Sequence, residues 1–227
     1  MKVYFLGTGT SQGIPVIGSH HSVCQSENPK DKRLRVSVWI SWEGFSLVID
    51  CGPDFRQQML TSKCTKVEAI LYTHEHADHT AGMDDIRPFN FKQGNIPIYA
   101  HQRVLENLKK RFDYIFETEN KYPGAPTVSP IEVINNRPFI LGEKTVIPID
   151  VMHGNLQVFG YRIDDFAYLT DVKTIEKSEI AFTASNNLAS SPSFLHGHIQ
   201  FADKDTLFKF SFSGAQTIFV SASVIAF

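Results

Sequence analysis

The run Leu71-Tyr72-Thr73-His74-Glu75-His76-Ala77-Asp78-His79 constrains this chain more than any other passage. Four side chains that bind divalent metals, His74, His76, Asp78 and His79, fall within six positions. If the backbone leaves a strand at Tyr72 and enters a helix near Thr80, the intervening turn aims neutral imidazoles and a carboxylate into one small volume, as a borderline-soft cation prefers. A solvated polar loop needs no such spacing. Imidazoles at i and i+2 followed by Asp-His supply ligands for two ions.

Size and composition set the frame. With 227 residues, 42% hydrophobic, 20% charged and a formal net charge of -2, the chain reads as one ordinary globular domain with ample length for a core. No stretch reaches the roughly 18 apolar residues of a membrane span. The run Met1-Lys2-Val3-Tyr4-Phe5-Leu6-Gly7 is too short for a secretory signal and reads as a first core strand, so a cytoplasmic location is expected. Three cysteines, Cys24, Cys51 and Cys64, do not make a disulfide framework. The near-neutral charge argues against an extensive nucleic-acid-binding face, which needs a concentrated basic stripe.

Short β-rich runs alternate with amphipathic ones, without repeats or low-complexity linkers. Residues 36–42 alternate with period two and, after the Glu43-Gly44 turn, residues 45–50 return as a partner strand ending in Asp50. Residues 54–60 predict a short helix, 69–73 the strand delivering the metal run, and 104–112 a helix with one apolar side. Residues 139–151 read as paired strands around Gly142, and 158–163 with 167–169 as another pair broken at Asp164-Asp165. Phe208, Phe210 and Phe212 alternate as on a strand.

The HxHxDH pattern of His74 to His79 resembles the signature of the metallo-β-lactamase superfamily of binuclear metal hydrolases. Four more passages carry a resemblance to its phosphoribosyl cyclic phosphodiesterase branch: Val3 to Pro15 (VYFLGTGTSQGIP), Ile49 to Asp54 (IDCGPD), Gly82 to Pro88 (GMDDIRP) and Tyr168 to Asp171 (YLTD). The likeness runs from residue 1 to about residue 175 and thins beyond. It implies an α+β fold, the four-layer αββα sandwich, spanning residues 1–227 as one hydrolase domain with an atypical part from 178 to 227.

Two further ligands follow from that resemblance. His153 lies where a strand yields to a Gly turn, and its place between the metal run and Asp171 matches the superfamily's order. Asp171 ends the apolar run Phe166 to Thr170, and a carboxylate at the mouth of a buried strand needs a compensating charge that a metal supplies. The resemblance thus implies two divalent ions, Zn or Mn, one on His74, His76 and His153 and one on Asp78, His79 and Asp171, with Asp171 able to bridge. The family's last histidine is absent, Ala222 standing at its place, so the second ion is expected to have fewer protein ligands or partial occupancy. The relatives' structural zinc site of cysteines near the start is represented by Ser19, His21 and Cys24, with Ile225 at the distant ligand's place; a plain surface loop is the expectation there.

Asp50 is expected behind the metals, accepting a hydrogen bond from a ligand imidazole, or else as a strand-end cap. The Gly-rich run Gly7 to Gly13 lacks the Lys and spacing of a P-loop and reads as a loop lining the site. Arg87 either steadies a substrate phosphate or pairs with Asp84 and Asp85. Within Phe194 to Phe201, His198 first and His196 second are candidates for the general acid, and Asp78 counts as catalytic as well as ligating. His20, His21 and His101 read as surface residues.

Two cations a few ångströms apart lower the pKa of a shared water and orient it for in-line attack, so the expected function is metal-dependent hydrolysis by a metal-bound hydroxide. The branch resembled implies a small, cyclic phosphodiester as substrate, no membrane partner, and a homodimer as one allowed assembly. Three alternatives stand beside it. Di-iron redox chemistry is disfavoured by His76, where such members carry Glu; tRNA 3′-end processing lacks a basic arm; a non-catalytic metal-binding or phosphate-sensing protein would fit the missing C-terminal ligand.

Overall fold

The computed structural model describes residues 1–183 together with the strand segments 199–201, 207–212 and 216–221. It divides into two compact units, Met1–Val133 and Ile134–Phe227.

The first unit is built on a six-stranded sheet in sequential order, β1 (Lys2–Gly7), β2 (Ser37–Trp42), β3 (Phe45–Ile49), β4 (Ala69–Leu71), β5 (Ile96–Ala100) and β6 (Val128–Glu132). Its helices are α1 (Ser22–Gln25), α2 (Phe55–Ser62), α3 (Ala77–Thr80), α4 (Arg87–Gln93), α5 (Gln102–Arg111) and α6 (Asp113–Phe116). β2 and β3 form the expected hairpin, closed by Gly44 in the left-handed region at φ 73°. From β3 to β6 the pairing is parallel. Strands buried on both faces cannot alternate in polarity, which is why Leu47, Val48 and Ile49 and then Ala69, Ile70 and Leu71 are wholly apolar and buried. Parallel strands share one C-terminal edge, so Asp50, after β3, and Thr73 to His79, after β4, emerge side by side.

Helix α5 forms because Val104, Leu105 and Leu108 share a face that packs into the core with Phe55, Met59, Ile86 and Phe89. His101 caps it, its Nδ1 accepting from the Arg103 N–H at 3.1 Å, and Lys109, Lys110 and Arg111 complement the dipole in its last turn. The loop after β3 is docked on the metal run through the backbone: Cys51 N–H donates to the His79 carbonyl at 2.9 Å and Gly82 N–H to the Cys51 carbonyl at 2.9 Å. That docking requires glycine. A Cβ on Gly52 would sit 2.0 Å from the Asp78 carbonyl oxygen, and one on Gly82 2.0 Å from the Gly52 carbonyl oxygen.

The second unit holds a seven-stranded sheet with β7 (Phe139–Leu141), β8 (Lys144–His153), β9 (Leu156–Ile163), β10 (Phe166–Thr170), β11 (Ile199–Phe201), β12 (Leu207–Phe212) and β13 (Gln216–Ser221), and the helix α7 (Lys177–Thr183). The strand order is β11-β12-β13-β10-β9-β8-β7. The two pairs expected around Gly142 and the Asp164-Asp165 turn are present as β7 with β8 and β9 with β10, both antiparallel. The alternation of Phe208, Phe210 and Phe212 is matched by β12. Sequence patterning missed β5 and β6, which carry Pro97 and Pro130; a parallel ladder bonds alternate residues, and β6 lies at the sheet edge. Among the described residues no helix is long and apolar enough to cross a membrane.

Candidate metal centre

Within the first unit, the metal run does what its spacing predicts. β4 ends at Leu71, the chain turns through Thr73 to His76, and Asp78 and His79 lie in the single helical turn α3. The imidazoles of His74 and His76 are 4.6 Å apart between centroids and those of His74 and His79 4.1 Å. His74 and His79 are fully buried, whereas His76 is exposed, so the cluster opens to solvent on one side. Asp78 Oδ2 lies 3.3 Å from His79 Nε2.

Hydrogen-bond accounting fixes which nitrogen carries a proton in two of the rings. Asp50 is wholly buried, and an ionised carboxylate only accepts. Its Oδ1 accepts from the Thr73 N–H at 2.8 Å, and its Oδ2 accepts from the Thr73 hydroxyl at 2.8 Å and from His79 Nδ1 at 2.6 Å. His79 therefore carries a proton on Nδ1, and Nε2 is the atom facing Asp78. The Thr73 hydroxyl has spent its only hydrogen on Asp50, so at its 3.0 Å contact with His74 Nδ1 it accepts, and His74 too presents Nε2. That nitrogen lies 3.0 Å from His76 Nδ1, so these two ring atoms face one another. Asp50 thus accepts a hydrogen bond from an imidazole of the run and also stands at a strand end.

Thr73 is a functional residue that sequence reasoning missed. The signal was a hydroxyl ending an apolar strand, directly before the first histidine.

In the second unit, β8 and β10 both flank β9 antiparallel, so they run parallel to each other and end at the same edge. His153 is the last residue of β8 and Asp171 follows β10 directly; His153 Nε2 and Asp171 Oδ2 are 4.0 Å apart. Asp171 is 9% exposed, with φ at 55°, and Asp50 has φ at 65°.

The donor set fits divalent cations that accept imidazole and carboxylate together. Among the described residues no cysteine joins a metal-ligand group, and at Cys51, fully buried, desolvation pushes the thiol well above the ordinary range.

The remaining candidates sort plainly. Arg87 opens α4 and its terminal nitrogen donates to both oxygens of Asp84, at 2.8 and 2.9 Å, while the Tyr114 hydroxyl donates to the same carboxylate at 2.8 Å. Of the two roles open to Arg87, the ion pair is the one formed, with Asp84 as partner. Burial and that hydrogen bond push Tyr114 up to about 12. Near the start, Cys24 Sγ accepts from the Val16 N–H and His21 Nδ1 caps α1; among the described residues neither joins a metal-ligand group. His101, half-buried, caps α5. His196, His198, Ala222 and Ile225 lie outside the described residues.

Comparison with known proteins places this geometry. Residues 46–200 match the family model described as "Beta-lactamase superfamily domain". The chain is 43% identical over 181 residues to an octanoyltransferase of Porphyromonas gingivalis (strain ATCC BAA-308 / W83), a match covering 79% of this chain and 36% of that protein. It is 28% identical over 173 residues to ribonuclease Z of Bacillus subtilis (strain 168), covering 73% and 49% respectively. It therefore spans between a third and a half of these curated relatives. A crystal structure of a diphosphatase from the PhnP family is similar with a TM-score of 0.72 at 38% identity, over 79% of this chain and 69% of that one. Zn(2+)-bound PqqB from Methylobacterium extorquens shares the fold, with a TM-score of 0.66 at 18% identity over 80% of this chain and 69% of that one. With its metal run, oriented imidazoles and mixed α/β architecture, the chain belongs to the beta-lactamase superfamily, with the metallo-β-lactamase fold, and within it to the PhnP family.

Proposed function

We propose that this protein is a metal-dependent hydrolase of a small phosphodiester, a cyclic one among the candidates. The observation that carries the reading is the set of hydrogen bonds from Asp50, through Thr73 to His74 and directly to His79, which leaves Nε2 of both rings facing away from Asp50, that of His79 beside Asp78. A purely structural cluster has no need to fix two tautomers. His74, His76 and His153 would hold one divalent ion and Asp78, His79 and Asp171 a second, Zn²⁺ and Mn²⁺ both suiting the donor set. When bound, such a pair lowers the pKa of water and neutralises charge on a phosphoryl oxygen.

The chain's own residues do the rest. Asp50 keeps the proton of His79 on Nδ1 and stabilises whatever positive charge the ring acquires. The exposed face of His76 leaves the approach to the cluster open to a substrate. The leaving alkoxide needs a proton, and His198, or failing it His196, is proposed to deliver it. The charge of Arg87 is already matched by Asp84, so the substrate phosphate is not assigned to it.

The diphosphatase among the relatives supports a small phosphate substrate. The ribonuclease Z similarity favours a second reading, RNA processing, but with a net charge of -2 this sequence shows no concentrated basic stripe. The test is turnover of bis(p-nitrophenyl) phosphate by protein loaded with Mn²⁺ or Zn²⁺, beside cleavage of a tRNA precursor. Hydrolysis of the small ester alone supports the proposal; no rate with either metal, in the natural chain and in Ala222→His, refutes it.

A further inference from the structure

Glu75 is the one metal-competent side chain of the run outside the two proposed ligand sets, although it sits between two histidines. A carboxylate there is a rival ligand. The structure shows where it is held: Arg103, in the first turn of α5, forks onto it, Nε donating to Oε1 at 2.9 Å and a terminal nitrogen to Oε2 at 3.1 Å. Both carboxylate oxygens are engaged by one planar guanidinium, in the two-point geometry that Arg alone provides. The last residue of the same helix, Arg111, grips the backbone of the run. It donates to the Glu75 carbonyl at 3.0 Å and to the Thr80 hydroxyl at 2.7 Å, and that hydroxyl donates onward to the His76 carbonyl at 2.9 Å. The Glu75 side chain is only 16% exposed and lies on a rigid helix's flank, so the pair is more than a loose surface contact.

We propose that Arg103 is a positioning residue that withdraws the Glu75 carboxylate from the ligand pool, while Arg111 fixes the turn, so that imidazole rather than carboxylate oxygen meets the ion at His74 and His76. The inference rests on the reading of those histidines as ligands. In Arg103→Ala the carboxylate is released beside two ligands, adds oxygen to the coordination shell and raises the coordination number of a bound ion.

Cobalt(II) reports this without any turnover, because its visible absorption weakens as coordination rises from four. Metal-free natural protein, Arg103→Ala, Glu75→Gln and the double variant are titrated with cobalt(II) alone and their visible spectra compared, with circular dichroism as the folding control. The expected result is loss of visible intensity in Arg103→Ala, and a natural spectrum in both Glu75→Gln and the double variant. A natural spectrum in Arg103→Ala overturns the proposal. So does a changed spectrum that the double variant fails to restore, since the guanidinium would then act on the fold and not on Glu75. Should Arg103→Ala fail to fold, Arg103→Lys, which keeps a point charge but loses the fork, is read in the same way with and without Glu75→Gln. Natural protein that takes up no cobalt(II) overturns the metal-site reading along with the inference, whereas uptake by the natural chain with unaltered variants overturns the inference alone.

Discussion

Asp50→Asn separates orientation from mere packing. The substitution keeps size and burial but replaces one acceptor oxygen by an NH₂ group. If the amide oxygen stays on the Thr73 N–H, the nitrogen replaces Oδ2, where it meets the Thr73 hydroxyl and His79 Nδ1. The hydroxyl adapts, since it can accept from the amide and still accept from His74. His79 cannot: its Nδ1 must now accept, its proton moves to Nε2, and the nitrogen beside Asp78 loses its lone pair. Loss of such an orienting partner costs about 10- to 100-fold in metal affinity, or about 1.4 to 2.7 kcal/mol. The loss should fall on the ion assigned to His79 and Asp78 and spare the one assigned to His74 and His76. Competition titration of Zn²⁺ against a chromophoric chelator resolves the two steps. Two steps unchanged within about threefold, or both weakened alike, would refute the tautomer argument.

Other consequences are independent of that relay's fine structure. Thr73→Val keeps the shape but removes the hydroxyl's bonds to His74 Nδ1 and to Asp50 Oδ2, which keeps only His79 of its two donors, and should lower stability by about 1 to 3 kcal/mol in urea unfolding of the metal-free protein. Gly82→Ala drives a methyl onto the Gly52 carbonyl oxygen and should cost about 1 to 3 kcal/mol or more while loosening the run, seen as a lower Tm and weaker Zn²⁺ binding together. The Cys51 thiol, raised by burial, keeps its proton in the folded state at a pH where the unfolded chain has lost it. The folded state then binds more protons, so stability falls as pH climbs above about 8.5, by up to about 1.4 kcal/mol per pH unit from this group. Urea midpoints between pH 8 and 10 should show that slope in the natural protein and a shallower one in Cys51→Ala.

What could be read in the sequence was what lies close along it. His74, His76, Asp78 and His79 are adjacent, so the turn that collects them is local, and the strand pairs around Gly44, Gly142 and Asp164 need only short connections. Asp50 was found as a strand end, yet the atom it orients, His79 Nδ1, lies 29 positions away and no local pattern specifies it. The Glu75 to Arg103 fork spans 28 positions and joins a turn to a helix whose polar face looks like any solvated one. Arg87 could be placed but not assigned, because its two roles use the same charge and only geometry chooses Asp84. β5 and β6 were hidden because proline, an ordinary strand breaker, is tolerated where the ladder leaves an N–H unused.

If residues 74–79 hold metal, Nε2 of His74 and His79 and Nδ1 of His76, with Asp78, face divalent ions. Anomalous diffraction from crystals grown with Zn²⁺, recorded on both sides of the zinc edge, tests it most directly. Zinc peaks are expected at coordination distance, about 2.0 to 2.2 Å, from those three nitrogens and the Asp78 carboxylate. Zinc bound through Nδ1 of His74 or His79, or found only away from this cluster, would contradict it.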